Sequence, residues 1–145
     1  METKTTEELT HEIMAATDIE DYLRVNRNSM ITGKLSDYLE ELLLRKGVSK
    51  AEVVRRSMMD RAYVYQIFSG ERTPSRDKLI ALAFGLDLTC GEMQKMLKLS
   101  CNRELYAREK RDALILFARK RGWTLERANE LLFDHGFAAL GVPSE

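Results

Sequence analysis

The sequence predicts an all-α protein. No segment of the 145 residues alternates apolar and polar side chains in the manner of a strand. Only 2 prolines and 8 glycines interrupt the chain, and so few breakers favour helices over many short strands. Capping residues recur directly before apolar stripes with helical spacing. A composition of 44% apolar and 32% charged residues allows a packed core beneath a heavily charged surface.

Residues 1–33 predict two short acidic helices followed by a loop. Thr5 and Thr17 each precede a glutamate by three residues, which is the spacing of a capping box at a helix start. Apolar residues with helical spacing follow, namely Leu9 and Ile13 in the first helix and Ile19, Tyr22 and Leu23 in the second. The residues that predict the loop are Asn26, Asn28, Ser29 and Gly33.

Residues 34–100 predict a domain of five short helices. The first has a helical apolar stripe of Leu35, Tyr38, Leu39, Leu42 and Leu43. The expected first residues or N-caps of the next four helices are Ser49, Asp60, Pro74 or Ser75, and Thr89. The apolar positions that we assign to the core of these helices are Val53, Val64, Ile67, Leu79 and Leu82.

Residues 101–145 predict a helical hairpin that repeats residues 75–105. A shift of 35 residues, without a gap, aligns Arg76-Asp77 with Arg111-Asp112, Leu79-Ile80 with Leu114-Ile115, Thr89 with Thr124, Leu97 with Leu132, and Leu105 with Leu140. The shared Arg-Asp pair and the shared threonine caps favour a true repeat. Helical periodicity alone produces some such matches, so two hairpins that are alike by chance remain the alternative.

The order of elements over residues 48–86 indicates a function. A short helix, a tight turn and a second short helix ending at Gly70 precede a loop with Pro74 and then a third helix. This order is typical of a helix-turn-helix unit. In such units the first helix braces the DNA backbone and the second, here 61–69, lays its N-terminal residues into the major groove.

The same stretch resembles the lambda repressor and Cro-like helix-turn-helix proteins, the XRE family known from bacteria and phage. The matching elements are Ser49, the opening Arg61-Ala62-Tyr63-Val64, Ile67, and the run Gly70-Glu71-Arg72-Thr73-Pro74-Ser75. The resemblance covers roughly residues 35–99. It implies a lambda repressor-like helical bundle, here with N-terminal helices and an added C-terminal hairpin. It also implies double-stranded DNA as the partner and leaves a homodimer open.

Carried over residue by residue, the resemblance assigns DNA-facing positions to this chain. These positions are Lys50, Arg61, Ala62, Tyr63, Tyr65, Gln66, Ser69 and Arg72. Arg61 suits a bidentate contact to guanine, Gln66 suits adenine, and Ala62 suits a thymine methyl group. Tyr65 shares the groove-facing surface with these three residues.

The remaining assigned positions concern the DNA backbone. Lys50, Ser69 and Arg72 are expected at phosphates, which position a protein without reading sequence. Tyr63 either stacks on the sugar-phosphate edge or packs against the bracing helix, and the sequence does not separate these two roles.

Three residues depart from the family pattern. Met58 stands in the turn, where the family has Gly. If this residue takes a positive φ, the cost is about 1 kcal/mol, and a slightly different turn is the alternative. Ser57 replaces an apolar residue. Val54 replaces a small alanine and is expected to push the helices apart, so the docking angle on DNA is expected to differ.

The charge is unevenly distributed along a chain whose formal net charge is zero. Residues 1–45 carry 5 basic and 10 acidic side chains, residues 46–76 carry 7 and 3, and residues 77–145 carry 11 and 10. The positive excess thus falls on the segment where phosphate binding needs it. The acidic start is solvated surface, a restraint on DNA binding, or a partner contact. The basic run 119–121 suits a helix C-terminus.

The sequence supports neither catalysis nor a cofactor or metal. The two histidines, His11 and His135, have no ligand cluster, and no nucleophile motif or phosphate loop occurs. No small-molecule ligand is implied. No apolar run reaches the ~18–20 residues of a membrane span, and the polar start is unlike a signal peptide. We therefore expect a cytoplasmic protein without a membrane partner, with Cys90 and Cys101 as free thiols.

Together these observations predict a sequence-specific, DNA-binding transcriptional regulator and not an enzyme. The alternative is a protein-interaction adaptor, such as an antitoxin-like or anti-repressor partner, on a helix-turn-helix scaffold. The C-terminal hairpin is the candidate for dimerisation or for rigidifying the domain. The apolar residues considered for dimerisation are Trp123, Leu125, Phe133 and Phe137, with core packing as the alternative.

Overall fold

The computed structural model describes residues 4–26 and 34–141, and these residues form helices and no strand. The all-α prediction is therefore confirmed. The nine helices of the described residues are α1 (Thr6–Ala15), α2 (Ile19–Val25), α3 (Leu35–Lys46), α4 (Lys50–Ser57), α5 (Arg61–Ser69), α6 (Arg76–Gly85), α7 (Cys90–Leu99), α8 (Lys110–Lys120) and α9 (Leu125–Asp134). The predicted loop residues Asn28, Ser29 and Gly33 lie outside the described residues.

One compact unit lies within residues 1–32 and contains α1 and α2. The Tyr22 hydroxyl donates to the Leu9 carbonyl at 3.4 Å, which joins the two helices. The Thr5 cap is confirmed, since its hydroxyl accepts from the Glu8 N–H. The Thr17 cap is wrong. Asp18 has the extended backbone of an N-cap and its carboxylate accepts from the Glu20 N–H, so α2 begins one residue later than the sequence pattern predicts.

The second compact unit lies within residues 33–145 and holds one hydrophobic core. The predicted core residues Val53, Val64, Ile67, Leu79 and Leu82 are all buried. Every residue of α6 from position 79 to 85 is buried, so this helix forms the centre of the unit. A helix that is apolar all round is expected in such a place.

Helices α4 and α6 approach each other closely in this core. A Cβ built on Gly85 would lie 2.9 Å from the Val53 carbonyl oxygen and 3.2 Å from the Ser57 Cβ. Ser57 is fully buried, and its hydroxyl donates to the Val54 carbonyl at 3.3 Å. The small side chains at these two positions therefore allow the helices to touch.

Contacts in the α6–α7 hairpin recur 35 residues later in the α8–α9 hairpin. The Gln94 amide bonds both the N–H and the carbonyl of Leu105 at 2.8 Å. The Asn129 amide bonds the N–H and carbonyl of Leu140 in the same way, at 2.8 and 2.9 Å. These contacts support the repeat, which stays a prediction.

The two hairpins also exchange ion pairs. Arg76 of α6 pairs with Asp112 of α8, and Arg111 of α8 pairs with Asp77 of α6. Each arginine thus reaches the aspartate of the other hairpin, and the N-terminal ends of α6 and α8 are tied together. The C-terminal hairpin is therefore held against the helix that centres the core.

The structure divides the four apolar residues that were considered for dimerisation. Leu125 is buried in the core, and Trp123 and Phe137 are half-buried against it. Phe133 is 80% exposed. The core alternative therefore holds for Leu125, and Phe133 alone among these four residues presents its side chain to solvent.

Candidate nucleic-acid interface

Helices α4 and α5 and the turn between them form the candidate interface. The Ser49 hydroxyl accepts from the Glu52 N–H at 3.2 Å, and Asp60 accepts from the Tyr63 N–H at 3.3 Å, so both predicted caps are confirmed. These caps satisfy N–H groups that lack partners within the helix and set where each helix starts. Asp60 thereby brings Arg61 to the first turn of α5.

The turn residue Met58 adopts a backbone conformation that glycine, the usual residue at this position in the family, adopts without strain. Met58 adopts φ 58° and ψ 28°, in the left-handed region. A side chain with a Cβ is strained there by about 1–2 kcal/mol. The first of the two sequence alternatives, a positive φ at this residue, is therefore confirmed.

Helix α5 has one buried and one outward face. Val64, Ile67 and Phe68 are buried. Positions one helical turn apart on the opposite side carry the residues that the resemblance assigns to the groove. These are Arg61, Ala62 and Tyr65, which are exposed, and Gln66, which is half-buried; Ser69, assigned to a phosphate, is also exposed. The helix therefore presents all five outside the core.

A cation–aromatic cluster lies at the N-terminal half of this face. The Arg61 guanidinium lies 5.2 Å from the centroid of the Tyr65 ring, and Lys50 Nζ lies 5.8 Å from it. Lys50 also lies 5.5 Å from the Phe68 ring and forms a salt bridge to Glu40 at 3.1 Å. Helices α4 and α5 thus share one group of cations around Tyr65.

Gln66 and Arg72 are joined at the other end of the face. Arg72 Nε donates to Gln66 Oε1 at 2.9 Å, and the Arg72 N–H donates to the Gln66 carbonyl at 3.2 Å. This pair orients the Gln66 amide before any ligand binds. The amide oxygen keeps a second lone pair, and the amide nitrogen keeps its two donors.

Tyr63 lies between two cations at the edge of the core. Its half-buried ring packs at the edge of the core, with the Arg72 guanidinium 5.0 Å and Lys78 Nζ 4.5 Å from the ring centroid. The ring therefore gathers two cations, one from the loop after α5 and one from α6. Sequence reasoning missed Lys78. The only available signal was a basic residue three positions after the Ser75 cap.

The electrostatics of the interface depend on which cations are already paired. Lys46, Lys50, Arg56 and Arg76 each form a salt bridge within the protein. Throughout the described ranges, Arg61 and Arg72 have no carboxylate at salt-bridge distance. Arg55 of α4 likewise has none, so within the described part of the chain the cations of residues 46–76 without a carboxylate partner are Arg55, Arg61 and Arg72.

Glu92 anchors two of the neighbouring cations. Burial opposes its ionisation, but hydrogen bonds from Lys46, the Thr89 N–H and Arg45 outweigh burial and lower the pKa of Glu92 to about 2. Thr89 and Glu92 form the predicted capping box, with both reciprocal bonds present. This carboxylate therefore ties the end of α3 to the start of α7, behind the recognition helix.

The comparisons with known proteins agree with this geometry. The helix-turn-helix family model matches residues 39–92, from α3 into α7. This segment is similar to the lambda repressor/Cro-like helix-turn-helix domains of the XRE type, which are a DNA-binding regulatory class. The comparisons with curated proteins and with solved structures gave no match.

The part of the chain that the structure describes holds no metal-binding group, no disulfide and no membrane-spanning helix. It contains no group of three or more His, Cys, Asp or Glu side chains arranged for a metal ion. Cys90 and Cys101 are free thiols, as predicted. No helix in ranges 4–26 and 34–141 combines the length and the apolar character needed to cross a bilayer.

Proposed function

We propose that this protein is a sequence-specific transcriptional regulator that reads the major groove of double-stranded DNA with α5. The observation that carries the proposal is the outward face of this helix. It presents an unpaired Arg61 in the first turn and a Gln66 amide oriented by Arg72. Arginine and glutamine are the side chains that bond guanine and adenine bidentately.

The neighbouring residues support the same proposal by supplying a backbone clamp. Lys50 lies on the bracing helix, and Ser69 and Arg72 lie at the end of the recognition helix and in the following loop. These positions flank the reading face on both sides, which is where phosphates run beside the groove. Lys78, which lies over the Tyr63 ring, adds a second positive charge beside Arg72.

The proposed regulator binds as a homodimer. Helix-turn-helix proteins of this kind place two recognition helices in successive major grooves, about one helical turn apart. A dimer on such half-sites acts sterically, over or beside a promoter. Sedimentation of the free protein and of its DNA complex measures the number of chains in each.

Selection from a random duplex pool tests the proposal. The wild type is expected to enrich one sequence and to bind it less tightly at 200 mM than at 50 mM salt, because bound phosphates release counterions. Arg61→Ala combined with Gln66→Ala is expected to lose the sequence preference while keeping salt-sensitive binding. Arg108→Ala, at an exposed position in the α7–α8 connection, is the control and keeps both.

The second candidate is a protein-interaction adaptor on the same scaffold. Two large apolar side chains favour it, since Leu44 of α3 is 85% exposed and Phe133 of α9 is 80% exposed. Single exposed apolar residues are common on monomeric proteins. A wild type that enriches no DNA sequence and shows no salt dependence would replace the regulator with this candidate.

A further inference from the structure

A second cationic surface lies at the junction of α8 and α9, away from the outward face of α5 in sequence. Its residues, which we call the aromatic–arginine patch, are Phe117, Lys120, Arg121, Trp123 and Arg127. They line a common shallow cleft of about 690 Å³. The Phe117 and Trp123 rings meet edge to face with centroids 5.5 Å apart. The two touching rings thus form the centre of the patch, and the three cationic side chains surround them.

The charge of the patch is uncompensated. None of its five residues is acidic, and within the described residues Lys120, Arg121 and Arg127 form no salt bridge. Arg119 is different although it belongs to the same basic run. It is buried, donates to Asp87 at 2.6 Å and lies 4.7 Å from the Phe84 ring centroid. Arg119 and Lys120 lie in the last turn of α8 and Arg121 is its C-cap, as the helix-end interpretation expects, and Arg127 joins them from α9.

The two rings hold the guanidinium groups in place. Arg127 Cζ lies 3.8 Å from the Trp123 ring centroid, and Arg121 Cζ lies 4.3 Å from the Phe117 centroid. A guanidinium stacked on a ring keeps its in-plane N–H donors free for an anion with two oxygens, such as a phosphate. Because a guanidinium already covers one face of each ring, the cluster suits phosphates better than it suits stacked bases.

The patch is continuous with the helix-turn-helix unit. Trp123 also lines a neighbouring cleft, of about 430 Å³, to which Arg55, Arg56 and the turn residue Met58 contribute. Met58 precedes the first residue of α5 by only three positions. Arg55 and Arg56 thus lie beside the tryptophan, although Asp87 and Glu126 line the same cleft and Arg56 is paired with Glu52.

We propose that the aromatic–arginine patch binds the phosphate backbone of double-stranded DNA, outside the part held by the helix-turn-helix unit. This inference rests on the proposed function, since it extends the same DNA complex. The patch contributes affinity and salt dependence without reading sequence, because its contacts are to phosphates. Acidic proteins also match a cationic surface, and the experiment below separates them from DNA.

The test compares salt dependence between two triple variants of the full chain. Lys120→Gln, Arg121→Gln and Arg127→Gln remove the patch charges and keep both rings. Arg103→Gln, Arg108→Gln and Lys110→Gln remove the same charge near the start of α8, about 15 Å away along a helix of 11 residues. Circular dichroism and thermal melting first establish that both variants are folded.

In the patch variant, the plot of log K against log salt is expected to be less steep, by about 2–3, because each phosphate contact contributes about 0.9 to the magnitude of the slope. Its selected DNA sequence is expected to be that of the wild type. The control variant is expected to retain nearly the whole wild-type slope. The fluorescence of Trp123, the single tryptophan, is expected to change when the wild type binds duplex DNA.

Four results would overturn the inference. Equal slopes for the two variants, with a wild type that still selects a sequence, would reject the patch and leave the proposed function intact. A patch variant that loses binding to polyglutamate but not to duplex DNA would assign the surface to acidic proteins. A greater loss for single-stranded than for duplex DNA would assign it to base stacking. A wild type that binds no DNA would reject the proposed function and the patch together.

Discussion

The guanidinium of Arg76 donates to both carboxylate oxygens of Asp112, from Nη1 at 3.2 Å and from Nη2 at 2.9 Å. The Asp112 side chain is 2% exposed. Burial opposes ionisation of Asp112, but the bonds from Arg76 and from the Tyr106 N–H lower its pKa below the ordinary value. This pair joins α6, the first helix after the loop at residues 70–75, to the C-terminal hairpin.

Arg76→Ala is expected to destabilise the protein by about 3–5 kcal/mol, because it leaves a buried carboxylate without its counter-charge. Arg111→Ala removes the reciprocal pair, but its partner Asp77 is 44% exposed and regains water. We expect a loss of about 1 kcal/mol or less for that variant. Urea unfolding measures both free energies, and equal losses would contradict the role assigned to burial.

Met58→Gly is expected to raise the free energy of unfolding by about 0.5–1 kcal/mol. The substitution relieves the left-handed strain at φ 58°, partly offset by the greater freedom of glycine in the unfolded chain. Little burial is lost, since Met58 is 48% exposed. Met58→Ala keeps a Cβ in the same conformation and is expected to bring no gain. A gain from alanine in urea unfolding would show that backbone strain is not the cause.

Gly85→Ala is expected to destabilise the protein by about 1–3 kcal/mol, the usual cost of overpacking. Its Cβ would come within 2.9 Å of the Val53 carbonyl oxygen, which belongs to the backbone and has little freedom to yield. Gly91→Ala in α7 is the matched control, since its nearest neighbour is the Thr89 hydroxyl at 3.9 Å. That change is expected to be neutral or stabilising by up to about 1 kcal/mol. The melting temperature is expected to fall for Gly85→Ala and to stay the same or rise for Gly91→Ala.

Stability is expected to fall below about pH 4.5 because of Glu92. Its pKa is about 2 in the folded protein against an ordinary 4.5. The ionised form is therefore favoured by folding, and its contribution is complete above pH 4.5 and is lost as the pH falls towards 2. The amount is on the order of 3 kcal/mol, from a difference of about 2.5 between the two pKa values.

Urea unfolding at pH 7 and at pH 2.5 measures this contribution. Glu92→Gln is expected to be less stable than the wild type at pH 7 and to show a smaller drop between the two values. Glu130→Gln changes an exposed glutamate of α9 and serves as the control. A Glu92→Gln variant with the wild-type pH dependence would contradict the assignment.

Most of the elements could be predicted from the sequence because their signals are local. The caps at Ser49, Asp60 and Thr89 lie within three residues of the N–H groups that they satisfy. The cap of α2 was misplaced for the same reason. Thr17 and Asp18 both suit the position, and the pattern alone cannot rank adjacent residues.

The candidate site was predicted in part. The sequence predicts which face of α5 is exposed. The spacing of Val64 and Ile67 places both on one face, and the structure buries that face. The platform of Tyr63 between Arg72 and Lys78 was not predicted. These cations come from two different segments, and only the packed fold brings them to one ring.

The sequence by itself determined the helices, their caps, the helix-turn-helix order and the concentration of positive charge in residues 46–76, because each depends on residues near one another in the chain. Only the tertiary structure decided which charges are available to a ligand. Arg119 and Arg121 are two residues apart, yet the first is buried against Asp87 and the second lies over Phe117. Successive helical residues point about 100° apart, and the packing of α8 against its neighbours decides which of them meets the core and which meets solvent.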